Sequence, residues 1–193
     1  MAYGHNGGVT THSSEDFGVS DGSVRLVEHS AEWSRQFVQL HRELVELLGD
    51  LADGVEHVGS TAVPGLVAKP MLDVAVGLHD LDDVAAVGDR LTGAGFDFRG
   101  DFGEDGGVIY AQGPADGRTA MLHLVEFGGF QWKRYLRFRD ALRADPEMRR
   151  RYDELKRELA ARHPDDRLAY LAGKARLIRG IVPAGPSAAD ESH

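Results

Sequence analysis

The sequence predicts an α+β domain built on a mixed β-sheet, and three observations carry that reading. Strand-like runs concentrate in the middle of the chain, apolar residues at helical spacing occupy both ends, and glycine or proline punctuates the passages between them. A length of 193 residues without internal repeats suits one domain with a core of its own.

The elements follow in order. Residues 1–22 are rich in Gly, Ser, Thr, His and Asp with almost no apolar periodicity, so they are expected to form a flexible tail. His5 and His12 within it read as inert rather than as metal ligands. Val24 to Val27 is predicted as a short strand. Trp33, Phe37, Leu40, Leu44, Leu47 and Leu48 recur at helical spacing, with Ser30 as N-cap. Val55 to Val58 and Met71 to Leu78 read as strands. Asp82 to Leu91 reads as a helix closed by Gly93 or Gly95.

Phe96 to Arg99, Val108 to Gln112 and Thr119 to Phe127 are predicted strands, the last two joined by the turn-forming PADGR. Three helices follow, over Phe130–Arg143, Glu147–Arg162 and Arg167–Ile181, with Pro146 and Pro164 as breakers near helix starts. The polar residues 183–193 are expected to form a second flexible tail, which leaves 23–182 as the single domain.

Composition excludes several functions. The chain has 22 basic and 31 acidic residues, a formal charge of −9, whereas bulk nucleic-acid binding requires a basic surface that releases counterions. A small nucleotide in a locally basic pocket remains compatible with that charge. Cysteine is absent, which removes disulfides, thiolate metal sites and cysteine nucleophiles. With neither a bilayer-length apolar run nor a basic, then hydrophobic, N-terminus, the expectation is a cytoplasmic protein that does not engage membranes. The run MRRRYDELKRELAAR alternates charge at helical spacing, the pattern of a solvated helix face laced with exposed ion pairs.

The stretch VEHVGSTAVPGLVAKPMLDVAVGL, residues 55 to 78, carries the strongest functional signal. An apolar run ends at Gly59-Ser60, where the glycine permits close backbone approach and the serine offers a hydroxyl and an amide at the start of a short helix. Such a corner suits an anion, usually phosphate. Asp73 lies in the next apolar strand, where a carboxylate needs a cation or a hydrogen-bonding partner. It reads either as a metal-binding acid or as a buried structural acid paired with an arginine.

The run HVGSTAVPGLVAKPMLD resembles the signature of the GrpB-like family, a branch of the nucleotidyltransferase superfamily. VEHSAEWSRQF upstream, and HLVEF, RFRDALRADPEMRRRYDELKRELA and DRLAYLAGKARLIRGI downstream, extend the likeness over most of the chain. The resemblance implies a nucleotidyltransferase-like mixed sheet flanked by helices, with a helical C-terminal part. It also implies a divalent metal ion, and nucleotidyl transfer to a small acceptor or ATP-dependent activation of one. In that superfamily two acids alternate on one strand and share metal ions, but the position two residues after Asp73 is Ala75, so the set is incomplete here.

Other candidates surround these. His123 and Glu126 on the predicted strand 119–127 alternate to opposite faces, and the resemblance favours His123 at the site, as a ligand beside Asp73; a core histidine is the other reading. One histidine and one carboxylate suit Mn²⁺, Zn²⁺ or Fe²⁺ better than Mg²⁺. His57 lies on the strand face of Gly59 and reads as a ligand, as a general base, or as a hydrogen-bonding partner of the next loop. Lys69 reads as a phosphate contact or as a solvated lysine. Arg139 interrupts the apolar stripe Trp132, Tyr135, Leu136, Leu142, and either pairs a buried acid such as Glu126 or reaches an anionic ligand. Tyr170 and Lys174, one helical turn apart and matching the family pattern, read as closing over a ligand or as a surface contact.

The expected site is therefore Asp73, His57 and His123 for catalysis, with Asp73 and His123 holding the metal. Gly59, Ser60, Thr61, Lys69, Arg139 and Lys174 are expected to bind an anionic small-molecule substrate, with ATP or another nucleotide as the cofactor to be tested. The competing expectations are a metal-assisted transformation of a non-nucleotide metabolite and a non-catalytic module binding a small anion.

Overall fold

Runs of β-branched and apolar residues form the strands β1 (Ala52–Val58), β2 (Leu72–Leu78), β3 (Asp97–Asp101), β4 (Val108–Gln112) and β5 (Ala120–Glu126). This is a computed structural model in which residue 18 and residues 24–101 and 107–182 are described. The two expected tails, with His5 and His12, lie outside the described residues apart from Gly18. The strands make one sheet in the order β1-β2-β5-β4-β3. The central pair β2–β5 is parallel and the other three pairs are antiparallel. Helices α1 (Glu32–Leu48), α2 (Val84–Gly93), α3 (Phe130–Ala144), α4 (Pro146–Arg162) and α5 (Arg167–Ile181) flank it. A mixed sheet flanked by helices, with three helices at the C-terminal end, is the α+β arrangement the sequence predicts.

Strand β2 reads LDVAVGL, nearly continuous in apolar residues, because both of its faces are covered. Side chains two apart share a face, and the parallel register sets Asp73 beside Met121 and Ala75 beside His123. The opposite face carries Val74, Val76, Leu122 and Leu124, packed against Trp33, Leu40, Leu44 and Leu48 of α1 and Val87 and Leu91 of α2. Each such side chain, fully buried, contributes about 1.5–3 kcal/mol, so this layer is the main core. The Asp73 face is covered in part by α3, whose Trp132 packs on Val58, Ala75 and Val125.

Local chemistry sets the helix ends. Ser30 Oγ accepts the Glu32 N–H at 3.2 Å. Asp145 Oδ1 accepts the Glu147 and Met148 N–H groups ahead of α4, and Asp166 Oδ1 accepts that of Ala169 in α5. The helix expected over Asp82–Leu91 begins as a 3₁₀ turn, Leu81–Asp83, with the Asp80 side chain accepting the Asp82 N–H. The strand expected at Val24–Val27 reduces to a single bridge between Val27 and Ala68, because the facing backbone is the loop after Gly65 rather than a strand. Among the described residues no helix is long and apolar enough to cross a membrane.

Candidate functional site

The site grows out of one close packing contact. Gly59 has φ +68° and ψ −165°, a conformation open essentially to glycine alone. A Cβ built there would lie 2.4 Å from Asp73 Oδ2 and 2.8 Å from Asp73 Cβ. The glycine that the sequence reserved for a ligand's approach thus admits the Asp73 carboxylate itself. The turn that follows, Ser60–Ala62, is a single 3₁₀ turn.

Asp73 is held on its other side by His123, whose Nε2 lies 3.4 Å from Oδ1. The Tyr135 hydroxyl of α3 lies 3.3 Å from His123 Nδ1. With the proton on Nε2, His123 donates to the carboxylate and accepts from the phenol, which gives a chain Tyr135–His123–Asp73 across the sheet and α3. Asp73 remains 35% exposed, against 14% for His123. Burial by itself would raise the Asp73 pKa, but the His123 hydrogen bond, with the charges of Lys174 and Lys69, brings it below the ordinary carboxylate value.

Around this pair lies a cavity of about 280 Å³ lined by Ser60, Lys69, Asp73, His123, Lys156, Arg167, Tyr170 and Lys174. Four basic side chains there face one carboxylate. Lys174 Nζ stands 4.4 Å from the centre of the Tyr170 ring, and burial, opposed by Asp73, lowers its pKa to about 8. Lys156 is 1% exposed, donates to the Val67 carbonyl and lies over the Tyr152 ring. Burial, helped by the Lys174 charge, lowers its pKa to about 7. Asp153 accepts the Val67 N–H at 2.8 Å, so α4 grips the loop that leads from the corner to β2 by both backbone polar groups of one residue.

Lys156 was not among the expected site residues. The exposed ion pairs of α4 are present, for example Arg150 with Glu147 and Glu154 and Arg162 with Glu158. Yet Tyr152, Lys156 and Leu159, one helical turn apart in succession, form a buried stripe within the same run. A lysine between a tyrosine and a leucine at that spacing is the same signal that singled out Arg139.

The depressed Lys156 pKa has a defined sign. The unfolded chain, with a lysine value of 10.5, binds a proton that the folded chain lacks between about 7 and 10.5. This group's contribution to stability is complete above the unfolded value and is lost as pH falls through about 7. Urea midpoints measured from pH 7 to 10 should therefore rise more steeply in the parent than in Lys156→Met, and parallel curves would contradict this.

Two expected site residues lie elsewhere. His57 points to the α1 face: its ring stacks on Phe37 at 4.7 Å, its Nε2 lies 3.0 Å from Thr61 Oγ1, and burial lowers its pKa to about 4. It is a neutral anchor for the corner, and Thr61, 1% exposed, is its partner. Alternation along β1 is the reason, since Val58 rather than His57 is the neighbour of Asp73. Arg139 is partly buried, its side chain 11% exposed, and its acid is Glu56 at 2.7 Å, with the His57 carbonyl at 3.0 Å and Asp140 at 2.8 Å. Glu126 is exposed at the end of β5.

Arg139 does not line the cavity described above. Because Glu56 is 42% exposed, Arg139→Ala strands only a half-solvated charge and should cost about 1–2 kcal/mol in urea unfolding, with anion binding unchanged. A tenfold loss of anion affinity in that variant would return Arg139 to the site.

The position of a second acid is closed. Ala75 is fully buried in the cluster with Val58, Val125 and Trp132, so a carboxylate there would sit beneath α3 among apolar side chains. Among the described residues no group of three or more His, Asp or Glu side chains gathers where a metal could be held. Asp73 and His123 supply two donors amid Lys69, Lys156, Arg167 and Lys174, a set whose charge favours an anion over a resident divalent cation.

A five-stranded mixed sheet with a basic cavity around a lone Asp–His pair defines the class of protein. Residues 23–183 match the family described as GrpB protein, and the chain belongs to that family. It is 34% identical over 169 residues to the glutamate-rich protein GrpB of Alkalihalophilus pseudofirmus, covering 86% of this chain and 97% of that one. The crystal structure of the conserved protein GrpB from Enterococcus faecalis is similar with a TM-score of 0.74 at 33% identity, over 81% of this chain and 94% of that one. A protein named dephospho-CoA kinase, from Mycolicibacterium paratuberculosis, is 29% identical over 187 residues, 83% of this chain but only 46% of that protein. A fainter likeness, with a TM-score of 0.48 at 12% identity, joins 70% of the chain to 44% of the Cid1 poly(U) polymerase and carries no argument about this chain.

Proposed function

We propose that this protein is a cytoplasmic small-molecule enzyme that binds an anionic metabolite, phosphorylated or carboxylated, in the cavity between β2, β5 and the C-terminal helices. The observation that carries this reading is the charge pattern: Lys69, Lys156, Arg167 and Lys174 stand around Asp73, while Ala75 is sealed under Trp132. Lysines act on such a head group as point charges and Arg167 as a planar fork. Asp73, kept ionised, repels phosphate oxygens but accepts a hydrogen bond from a hydroxyl or amine of the acceptor. It takes that proton as the acceptor attacks the phosphorus of a phosphoryl or nucleotidyl donor; the bond from that phosphorus to the donor's leaving oxygen breaks, and the leaving group departs as an anion beside the lysines, with His123 and Tyr135 holding Asp73 in place.

The reaction class is group transfer to a small acceptor. Where a divalent ion accompanies the anion, as with a nucleotide, Asp73 and His123 would be the residues to hold it and it would supply neutralising charge. The kinship with part of a protein named dephospho-CoA kinase supports a phosphorylated ligand over a carboxylated one. Calorimetric titration with methyl phosphate and with acetate tests this. Saturable binding of one of them, weakened at least tenfold in the double variant Lys69→Gln/Lys174→Gln, is expected, and binding of neither would overturn the reading.

A further inference from the structure

A second compartment, of about 420 Å³, opens beside the cavity and shares Asp73, His123, Leu171 and Lys174 with it. Its remaining walls differ in kind. Val58, Phe138 and Ile178 make them largely apolar, and no lysine other than the shared Lys174 lines it. Arg134, Tyr135 and Gln131 are the polar side chains among these walls, and Gln131 is the one whose donor is left unsatisfied. Gln131, the second residue of α3, is 9% exposed, and its Nε2 is buried with no hydrogen-bond partner. A buried amide donor without a partner costs free energy, and such groups mark places where a ligand or water completes the structure.

Resting on the anion reading above, we propose that the ligand is bipartite. Its charged head occupies the basic cavity, and an uncharged, largely apolar arm lies between α3 and α5 with a carbonyl or amide oxygen accepting from Gln131. The two compartments meet at the Asp73–His123 pair, so the reacting group sits at the junction of head and arm. Sharing of four lining residues makes one ligand spanning both spaces the economical occupant. The combined space is that of a metabolite considerably larger than phosphate or acetate.

Three probes separate this inference from the reading beneath it: methyl phosphate, hexyl phosphate, and N-acetyl-3-aminopropyl phosphate, whose arm is of similar length but carries an amide. In the parent protein hexyl phosphate is expected to bind at least about tenfold more tightly than methyl phosphate, through burial of its methylenes. The amide-bearing arm should keep that advantage in the parent and lose it in Gln131→Leu, where hexyl phosphate holds or gains. Gln131→Leu should fold with unchanged or raised thermal stability, since it removes an unpaired donor. Ile178→Ala, at a position that lines the second compartment and not the basic cavity, should reduce the gain from the hexyl arm while leaving methyl phosphate unaffected. Failure of methyl phosphate and acetate alike to bind would overturn the anion reading itself. Equal binding of methyl and hexyl phosphate would overturn the bipartite ligand alone, and an amide preference unchanged in Gln131→Leu would remove Gln131 as its recognition element.

Discussion

Replacing Asp73 by Asn is expected to tighten phosphate binding while abolishing turnover. The carboxylate is the one acid among Lys69, Lys156, Arg167 and Lys174, so a bound dianion meets it as a like charge. At a separation of about 5 Å and an effective dielectric of about 20, each pair of unit charges repels by about 3 kcal/mol before screening. Even a third of that is roughly a fivefold gain in affinity. The measurement belongs near pH 6, because Asp73 also supports the Lys174 charge, whose pKa of about 8 would fall without it. Turnover of the natural substrate should drop by about 10²–10⁴, the usual contribution of a positioned base.

A second consequence follows from the lowered Asp73 pKa. Its stabilising contribution is complete above the ordinary carboxylate value and is lost as pH falls through the folded value, so Asp73→Asn should flatten the acid limb of the stability curve. Weaker phosphate binding in Asp73→Asn at pH 6 with a chelator present would mean that the carboxylate helps to hold the anion rather than repelling it, against the account given above.

Gly59→Ala should be strongly destabilising for the addition of a single methyl group. The substitution forces a side chain into a backbone region that costs about 1–3 kcal/mol to occupy. It also drives a carbon to 2.4 Å from Asp73 Oδ2, and relief of that overlap costs typically about 1–3 kcal/mol more. Domains of this size hold about 5–15 kcal/mol in total, so the loss is a large share of the whole. Gly95→Ala is the internal control. Gly95 also has positive φ, +87°, but a Cβ there meets nothing within 4 Å. Urea unfolding should therefore show Gly59→Ala costing clearly more than Gly95→Ala, and equal costs would mean that Asp73 does not press on Gly59.

Local pattern made much of this legible in the sequence. Five strands and five helices announce themselves by periodicity, and the corner at Gly59 with the acid at Asp73 stands out as glycine and charge set among apolar residues. What stayed hidden depends on registers between distant segments. Nothing in β1 alone says that Val58 rather than His57 neighbours Asp73, or that Glu56 waits for Arg139 across 83 residues of chain. Lys156 was concealed for a different reason: its run is dominated by exposed ion pairs, and two buried neighbours at helical spacing are a faint stripe beside them. The closing of position 75 by Trp132 is a fact of helix placement over the sheet, which no strand pattern records.

Titration of methyl phosphate into the protein in the presence of a chelator, repeated with Mn²⁺ in its place, tests the central claim most directly. A site built by lysines and Arg167 should bind the phosphate saturably without any divalent ion, and Mn²⁺ should bind measurably only once the phosphate is present. Tight Mn²⁺ binding to the protein alone, lost in Asp73→Asn and His123→Ala, with no phosphate binding in the chelator, would contradict it.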